Sequence, residues 1–262
     1  METAAILMVR DEIDIIQDWL DYHVPWFDKI AIYDSSTDGT WEALATRCQT
    51  DKKFLLWHDL LPHKNKRRNL LLALLDHYDF GGWVFQLDAD NFLEANPREL
   101  TEQAEEEGAK AINARVAQFY FTDLDYQDRK TKLFERRQYY LINWNIILAW
   151  KLSPEIHWHG DYAECPTRDG PFLKVSPVLR HYQWRNPEQA QKKLNLHFGK
   201  PGFSHLYSPD WRDYVFDHRK LHHVSEGWVS GGPRLGQMRI FEAYGSSKVI
   251  GRRVTDLQVT DP

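Results

Sequence analysis

The stretch Trp83-Val84-Phe85-Gln86-Leu87-Asp88-Ala89-Asp90 is an apolar run that ends in two carboxylates. Such a run is typical of a buried strand in an open α/β sheet, where the carboxyl end of the strand opens onto a ligand crevice. Side chains at positions i and i+2 of an extended segment point to the same face, so we expect Asp88 and Asp90 to converge on one hard cation. The sequence therefore predicts a site for Mn²⁺ or Mg²⁺ at this strand end.

A second pair of aspartates with the same spacing, Asp123-Leu124-Asp125, follows no comparable apolar run. Two aspartates at this spacing arise by chance in an acidic chain. We therefore assign no metal to this pair, and we expect replacement of Asp125 by asparagine to have almost no effect.

Composition predicts a compact globular protein. The chain has 262 residues, of which 42% are hydrophobic and 14% aromatic, which is enough to bury an ample core. No run approaches the roughly 18 apolar residues that a membrane span needs, and Met1-Glu2-Thr3 lacks the basic start of a secretory signal. We expect a cytoplasmic protein without a membrane span, in which Cys48 and Cys165 are reduced, buried thiols.

Charge is distributed unevenly along the chain. The net charge is −5, yet residues 181–262 carry more basic than acidic side chains. The C-terminal part is therefore the better candidate for contact with a polyanionic partner.

Strand and helix signals alternate over the first 120 residues, which predicts an α/β fold with a mostly parallel sheet flanked by helices. Asp11 is expected to cap a helix whose apolar positions are Ile13, Ile16, Leu20 and His23. Predicted strands cover 4–9, 29–33, 54–57 and 83–87, and further predicted helices cover 65–77 and the segment opened by Asn96-Pro97.

Beyond Val116 the alternation fades into a segment rich in Tyr, Trp and Arg. Asn186-Pro187-Glu188 and Ser208-Pro209-Asp210 then predict two helix starts. We expect a domain boundary near 185, with a catalytic domain over 1–185 and a helical C-terminal extension over 186–262.

Several motifs together resemble the family-2 glycosyltransferases of the GT-A fold, a Rossmann-like architecture. They occur in the family's order within about the first 100 residues, and His181–Gln189 resembles a motif of one bacterial and phage branch. The motifs of the first 100 residues are Met8-Val9-Arg10-Asp11-Glu12, Tyr33-Asp34-Ser35-Ser36-Thr37-Asp38-Gly39-Thr40, Arg68-Asn69 and Leu87-Asp88-Ala89-Asp90.

The resemblance implies a nucleotide-sugar site. Asp34 would accept the imide proton of uracil, and the planar guanidinium of Arg68 would bind the diphosphate. The expected nucleotide-sugar ligands are Val9, Arg10, Glu12, Asp34, Arg68 and Asp88, and the expected metal ligands are Asp88, Asp90 and His181. The remaining basic residues near Arg68, which are Lys64, Lys66 and Arg67, are expected to form a solvated face.

The segment Trp158-His159-Gly160-Asp161-Tyr162-Ala163-Glu164 lies where the family places an acceptor loop and an acidic catalytic residue. An inverting transfer needs a carboxylate that takes the proton from the attacking hydroxyl. Asp161 and Glu164 are the two candidates. The adjacent Glu-Asp pair that is usual in the family is absent, so the choice between them stays open.

The resulting hypothesis is a metal-dependent, inverting hexosyltransferase that moves a sugar from a UDP-sugar to a hydroxyl acceptor. The acceptor is a glycan or another soluble acceptor or, as in phage relatives, a hydroxymethylated pyrimidine of DNA. The residues expected to face the acceptor are Trp184, Arg185, Arg212, Arg219 and Lys220.

Two other classes of protein are less well supported. A sugar nucleotidyltransferase would need a glycine-rich phosphate loop after the first strand, and Met8-Val9-Arg10-Asp11-Glu12 contains no glycine. A non-catalytic carbohydrate- or nucleotide-binding module need not keep the acidic and basic site residues together. This chain has all four, Asp34, Arg68, Asp88 and Asp90.

Overall fold

The structure is a computed structural model that describes residues 1–48, 51–60, 64–125, 133, 137–154, 156–158, 166, 171–197 and 210–231. Within them the strands are β1 (Thr3–Val9), β2 (Lys29–Asp34), β3 (Phe54–His58), β4 (Trp83–Asp88), β5 (Asn91–Leu93), β6 (Ala111–Phe119), β7 (Tyr139–Lys151), β8 (Val178–His181) and β9 (His222–His223). The helices are α1 (Ile16–His23), α2 (Thr40–Cys48), α3 (Lys64–His77), α4 (Pro97–Glu106) and α5 (Pro187–His197). Over these residues no helix is both long and apolar enough to cross a membrane.

The strands form one mixed sheet in the order β3-β2-β1-β4-β7-β6-β8-β5, and β9 pairs with β7. The first four strands of this order are parallel to one another, and β7 is antiparallel to β4. Their nearly continuous apolar sequences suit strands that are covered on both faces. The predicted α/β fold with a mostly parallel core sheet and flanking helices is confirmed.

Three parallel strands extend one residue beyond their predicted ends. They end at Asp34, His58 and Asp88, each of which follows an apolar run. In the register, Asp34 is the partner of both Val9 and His58, and Asp88 is the partner of Met8. The polar residues are therefore brought to the same edge of the sheet.

The start of α1 differs from the prediction. The helix begins at Ile16 with Ile15 at its N-cap and no side-chain cap, and Ile13 is 46% exposed. Asp11 instead adopts a left-handed conformation with φ 55°, which aspartate tolerates better than most residues. Its Oδ1 atom accepts a hydrogen bond from the backbone N–H of Thr37 at 2.8 Å, so Asp11 links the loops that follow β1 and β2.

The asparagine caps follow the prediction. Asn96 Oδ1 accepts a hydrogen bond from the N–H of Arg98 at 3.0 Å, and Asn186 Oδ1 accepts one from the N–H of Gln189 at 2.8 Å. Asp210 caps only a 3₁₀ turn at Trp211–Tyr214, whereas Ser208 and Pro209 lie outside the described residues.

The chain divides into two compact units. The first comprises 1–116 and 144–181, and the second comprises 117–143 and 182–262. The second change of unit, at 181–182, is close to the predicted boundary near 185. The sequence pattern did not indicate that 117–143 belongs with the C-terminal residues, because β6 and β7 each contribute residues to both units.

The core of the first unit lies between the parallel strands and α3, where Ile6, Tyr33, Leu75, Val84 and Trp150 are buried. Close packing at its edge requires a glycine. A Cβ atom at Gly82 would lie 2.2 Å from the carbonyl oxygen of Glu2, where no side chain fits.

His23 joins α1 to β5 inside the first unit. Its Nδ1 donates to the carbonyl oxygen of Trp19 and its Nε2 accepts from the N–H of Leu93, both at 3.2 Å. Burial lowers the pKa of His23 to about 3. The ring is therefore neutral in the folded protein at neutral pH.

The second unit has its own apolar core and a buried ion pair. Its core side chains are Tyr120, Phe121, Leu141, Trp184, Leu194, Tyr214 and Phe216. Asp125 Oδ2 accepts hydrogen bonds from the N–H and Oγ1 of Thr122 at 2.9 and 2.8 Å, and it lies 2.6 Å from Nη1 of the fully buried Arg137. This environment contradicts the expectation that Asp125 tolerates replacement.

We predict that stability falls in acid because of His23. The unfolded chain takes up a proton on this residue below about pH 6.5, whereas the folded protein does so only near pH 3. The free energy of unfolding should therefore decrease as the pH falls from 6.5 towards 3. In chemical unfolding across this range, His23→Gln should flatten the slope, and the control His77→Gln, at an exposed residue, should not. Equal slopes in both variants would contradict this role.

For the ion pair, we predict that Asp125→Asn lowers the free energy of unfolding by about 3 kcal/mol, because the buried Arg137 loses its counter-charge. Chemical denaturation followed by tryptophan fluorescence measures this loss. Asp76→Asn, at an exposed position of α3, is the matched control and should change stability little. Similar stability in both variants would show that another group balances the charge of Arg137.

Candidate functional site

The site is built on the carboxyl ends of four adjacent parallel strands. In the order of the sheet, these ends carry His58 on β3, Asp34 on β2, Val9 on β1 and Asp88 on β4. In open α/β sheets, ligands bind at this edge. Four of the residues predicted from the sequence, Val9, Arg10, Asp34 and Asp88, lie here as expected from the topology.

Asp34 lies beneath the surface of this edge, with no exposed area. Its Oδ1 accepts a hydrogen bond from Oγ of Ser36 at 2.6 Å, and its Oδ2 accepts one from the backbone N–H of Ser36 at 3.2 Å. The Nδ1 atom of His58 lies 2.7 Å from Oδ2. The carboxylate is thus directed at its own neighbours and presents no surface to a ligand, unlike the direct base contact expected from the sequence.

His58 is a site residue that the sequence analysis missed. It is the last residue of β3, its side chain is 34% exposed, and its ring stacks on Trp41 with the centroids 4.8 Å apart. A signal was present in the sequence, because a histidine that follows the apolar run Phe54-Leu55-Leu56-Trp57 occupies the same strand-end position as Asp34 and Asp88.

The loops after β1 and β2 are tied together by backbone and serine contacts. The carbonyl oxygen of Val9 accepts from both the N–H and Oγ of Ser35, at 2.9 and 3.3 Å. The N–H of Glu12 donates to Oγ1 of Thr40 at 3.1 Å. Arg10 is exposed at the end of β1. These contacts hold the edge of the site in one conformation.

Arg67 was expected on a solvated face, and the structure corrects this, because only 8% of the residue is exposed. Its Nη1 donates to Oγ of Ser35 at 2.6 Å, and its guanidinium carbon lies 5.6 Å from the centre of the Tyr33 ring. Burial lowers the pKa of Arg67, the charge of Arg10 lowers it further, and Tyr33 and Asp34 oppose the shift.

Helical spacing could have identified the burial of Arg67. It lies four and eight residues before Leu71 and Leu75, which are both buried, and so it shares their face of α3. Lys66 is exposed, as expected.

Arg68 and Asn69 contact Trp158. Arg68 is buried, its Nη1 donates to Oδ1 of Asn65 at 3.3 Å, and its guanidinium carbon lies 5.2 Å from the centre of the Trp158 ring. The side chain of Asn69 donates to the carbonyl oxygen of Trp158 at 3.1 Å and accepts from its N–H at 3.0 Å. Asp161 and Glu164 follow Trp158 in the chain, but both lie outside the described residues.

The predicted metal ligands lie at the β4 end of the site. Asp90 is buried, its Oδ1 accepts from Nδ2 of Asn91 at 3.0 Å, and its Oδ2 lies 3.5 Å from Nε2 of His181. This proximity follows from the antiparallel pairing of β5 with β8, in which Asn91 is the partner of His181. The structure therefore brings two of the three predicted ligands together.

The third ligand, Asp88, is placed differently from the prediction. The chain turns at Ala89 and Asp90 instead of continuing as an extended strand, so the two aspartates do not share a strand face. Among the described residues, the donor atoms of Asp88, Asp90 and His181 do not form a group within 4.8 Å of one another. Two carboxylates and an imidazole nevertheless make a donor set that suits Mn²⁺.

Within the part of the chain that the structure describes, a further cluster of metal-ligand residues lies in the second unit, where donor atoms of Asp123, Asp217 and His218 approach within 4.8 Å. These groups already have partners. His218 Nδ1 lies 3.0 Å from Oδ1 of Asp123, and Arg219 donates to both carboxylate oxygens of Asp217 at 2.8 Å. Hydrogen bonding from Arg219 lowers the pKa of Asp217. The charged groups of this cluster are therefore already paired with protein side chains.

The five residues expected to face an acceptor differ in their exposure. Trp184 and Arg185 are buried in the second unit, Trp184 against Tyr214 with ring centroids 4.6 Å apart. Their placement contradicts an acceptor contact, because neither side chain offers an accessible surface. Arg212, Arg219 and Lys220 are exposed, and the two arginines pair with Asp210 and Asp217.

Comparisons with known proteins give structural similarity only. No protein-family model and no curated protein sequence matches the chain. A crystal structure of S. aureus TarS superposes with a TM-score of 0.47 and 12% identity over 75% of this chain and 39% of that chain. TarS 1–349 in complex with UDP gives a TM-score of 0.46 and 11% identity, covering 75% of this chain and 64% of that chain.

TarS 1–349 in complex with UDP-GlcNAc gives a TM-score of 0.47 and 12% identity, covering 75% of this chain and 65% of that chain. The chain therefore spans less than two thirds of the length of each of these structures. Because each of these TM-scores is below 0.5, neither a family nor a function follows from the similarities.

Proposed function

We propose that this chain is a glycosyltransferase of the hexosyltransferase type that uses a UDP-sugar donor and a divalent metal. One observation carries the proposal. Two kinds of group lie at the same edge of the sheet. The carboxylate of Asp90 and the imidazole of His181 lie together near the end of β4, and the buried arginines lie on α3. A nucleoside diphosphate needs both a metal-binding group and cationic donors.

The arginines suit the diphosphate of such a donor. Arg67 and Arg68 are buried in the first turns of α3, and Arg10 is exposed at the end of β1. A guanidinium binds phosphate oxygens through a planar fork of N–H donors. Of these three arginines, Arg10 has accessible surface and is the proposed direct contact to the diphosphate. Arg67 and Arg68, held by Ser35, Asn65 and Trp158, would add positive charge beneath it.

The metal ligands in this proposal are Asp88, Asp90 and His181. A bound Mn²⁺ or Mg²⁺ would neutralise the charge that grows on the departing diphosphate. The role of the chain is to hold the carboxylates in place. Asn91 bonds to Asp90, and the pairing of β5 with β8 sets His181 beside it.

The proposed general base is Asp161 or Glu164. Either carboxylate would remove the proton of the acceptor hydroxyl while the hydroxyl oxygen attacks the anomeric carbon and the bond from that carbon to the diphosphate breaks. The two hydrogen bonds between Asn69 and the backbone of Trp158 fix the chain three residues before Asp161.

The proposed acceptor is a hydroxyl of a glycan or another non-nucleic acceptor. A DNA acceptor was suggested by the aromatic and basic C-terminal residues. The burial of Trp184 and Arg185 and the pairing of Arg212 and Arg219 with aspartates remove the specific support for that alternative.

Asp90→Asn is predicted to abolish sugar transfer and metal-dependent UDP binding while the fold is retained, because a neutral amide cannot replace a charged ligand. The measurement is incubation with a panel of UDP-sugars, Mn²⁺, and glycan or hydroxymethylated DNA acceptors, with circular dichroism as the check on folding. Asp76→Asn is the control, since Asp76 is exposed on α3. Full activity in EDTA, or equal loss in both variants, would refute the metal role.

Replacement of the general base is predicted to lower kcat by about 10²-fold or more with little change in donor affinity. Asp161→Asn and Glu164→Gln are compared in the same assay, and only one of them should show the large loss. If both retain most of their activity, the base is another residue.

A further inference from the structure

We propose that His58, and not Asp34, contacts the base of the nucleotide and selects uracil over cytosine. The inference deepens the proposed function and rests on it, since it concerns the donor's base. It follows from three features of the first unit: the burial of Asp34, the orientation of His58 and the position of β3 in the sheet.

Asp34 has little capacity left for a ligand. It has no exposed surface, and its carboxylate oxygens already accept from the N–H and hydroxyl of Ser36 and contact His58. A base could reach this carboxylate only by breaking buried, charge-assisted hydrogen bonds, which are among the stronger polar contacts in a protein.

His58 is the accessible member of this pair. Its side chain is 34% exposed, while its Nδ1 lies 2.7 Å from Oδ2 of Asp34. One face of the ring is covered by Trp41 at a centroid distance of 4.8 Å and an interplanar angle of 28°. Among the described residues, no hydrogen-bond partner is found for Nε2. The ring is therefore held in place with one nitrogen available.

The carboxylate determines what that nitrogen can do. A carboxylate accepts only, so it places the proton of neutral imidazole on Nδ1 and leaves Nε2 as an acceptor. Uracil offers a donor, its N3–H, whereas N3 of cytosine is an acceptor. A site built to accept from N3–H rejects a base that lacks this proton, because two acceptors would then face each other. Asp34 is accordingly a positioning residue that sets the tautomer of His58.

The position of His58 agrees with the direction in which the nucleotide must lie. The proposed metal ligands, which would meet the diphosphate, are at the end of β4, and β3 lies three strands away in the order β3-β2-β1-β4. With neighbouring strands about 4.8 Å apart, this separation is roughly 14 Å. The base, as the end of the nucleotide remote from the diphosphate, would therefore lie towards β2 and β3.

The test measures the affinities of UDP and CDP by calorimetry in the presence of Mn²⁺. The wild-type protein should bind UDP at least tenfold more tightly than CDP. His58→Phe keeps an aromatic ring against Trp41 and removes the acceptor, so it should lower UDP affinity about tenfold or more and bring the UDP/CDP ratio close to one. His58→Leu, which also lacks an acceptor, should do the same if His58→Phe is unstable.

His77→Asn is the matched control, since this exposed histidine lies on α3 away from the strand ends, and its UDP/CDP ratio should equal that of the wild type. Asp34→Asn tests the positioning role. It should lower the ratio while ¹⁵N NMR of the labelled histidines shows that His58 no longer keeps its proton on Nδ1.

The outcomes separate this inference from the proposed function. If the wild type binds UDP in preference to CDP and the His58 variants keep that preference, the role of His58 is refuted and the proposed function stands. Equal binding of UDP and CDP by the wild type refutes selection of the base. A wild type that binds no nucleoside diphosphate refutes the proposed function and this inference with it.

Discussion

The parallel pairing of β1 with β2 and β4 is the constraint on which the candidate site depends. Because strands of the same direction end at the same edge, a polar residue placed directly after each apolar run is brought beside the others. The register makes Asp34 the partner of Val9 and His58, and Asp88 the partner of Met8. No long-range ion pair is needed to bring these positions together, because backbone hydrogen bonding in the sheet does so.

Polar contacts then hold this edge in a defined arrangement. Asp11 binds the loop after β2, Ser35 bonds to the end of β1, and Arg67 reaches Ser35 from α3. The contacts of Ser35 and Arg67 are buried, and each satisfies a group that would be costly to bury alone. The consequence is that Asp34 is fixed underneath and His58 is left at the surface.

The β4 side of the site depends on packing further from it. His23 connects α1 to the N–H of Leu93 on β5, and the pairing of β5 with β8 brings His181 within 3.5 Å of Asp90. His23 therefore helps to hold β5, the strand that follows Asp90 and pairs with the strand of His181.

The sequence by itself determined the positions of the parallel strands, the asparagine caps of α4 and α5, and the strand-end location of Asp34 and Asp88, because apolar runs, caps and strand ends are local patterns. Only the tertiary structure decided that Arg67 and Trp184 are buried, that Asp125 is paired with Arg137, and that Asp34 is directed at His58. Burial and pairing depend on contacts between residues far apart in the chain, and no local pattern specifies which side chains will cover one another.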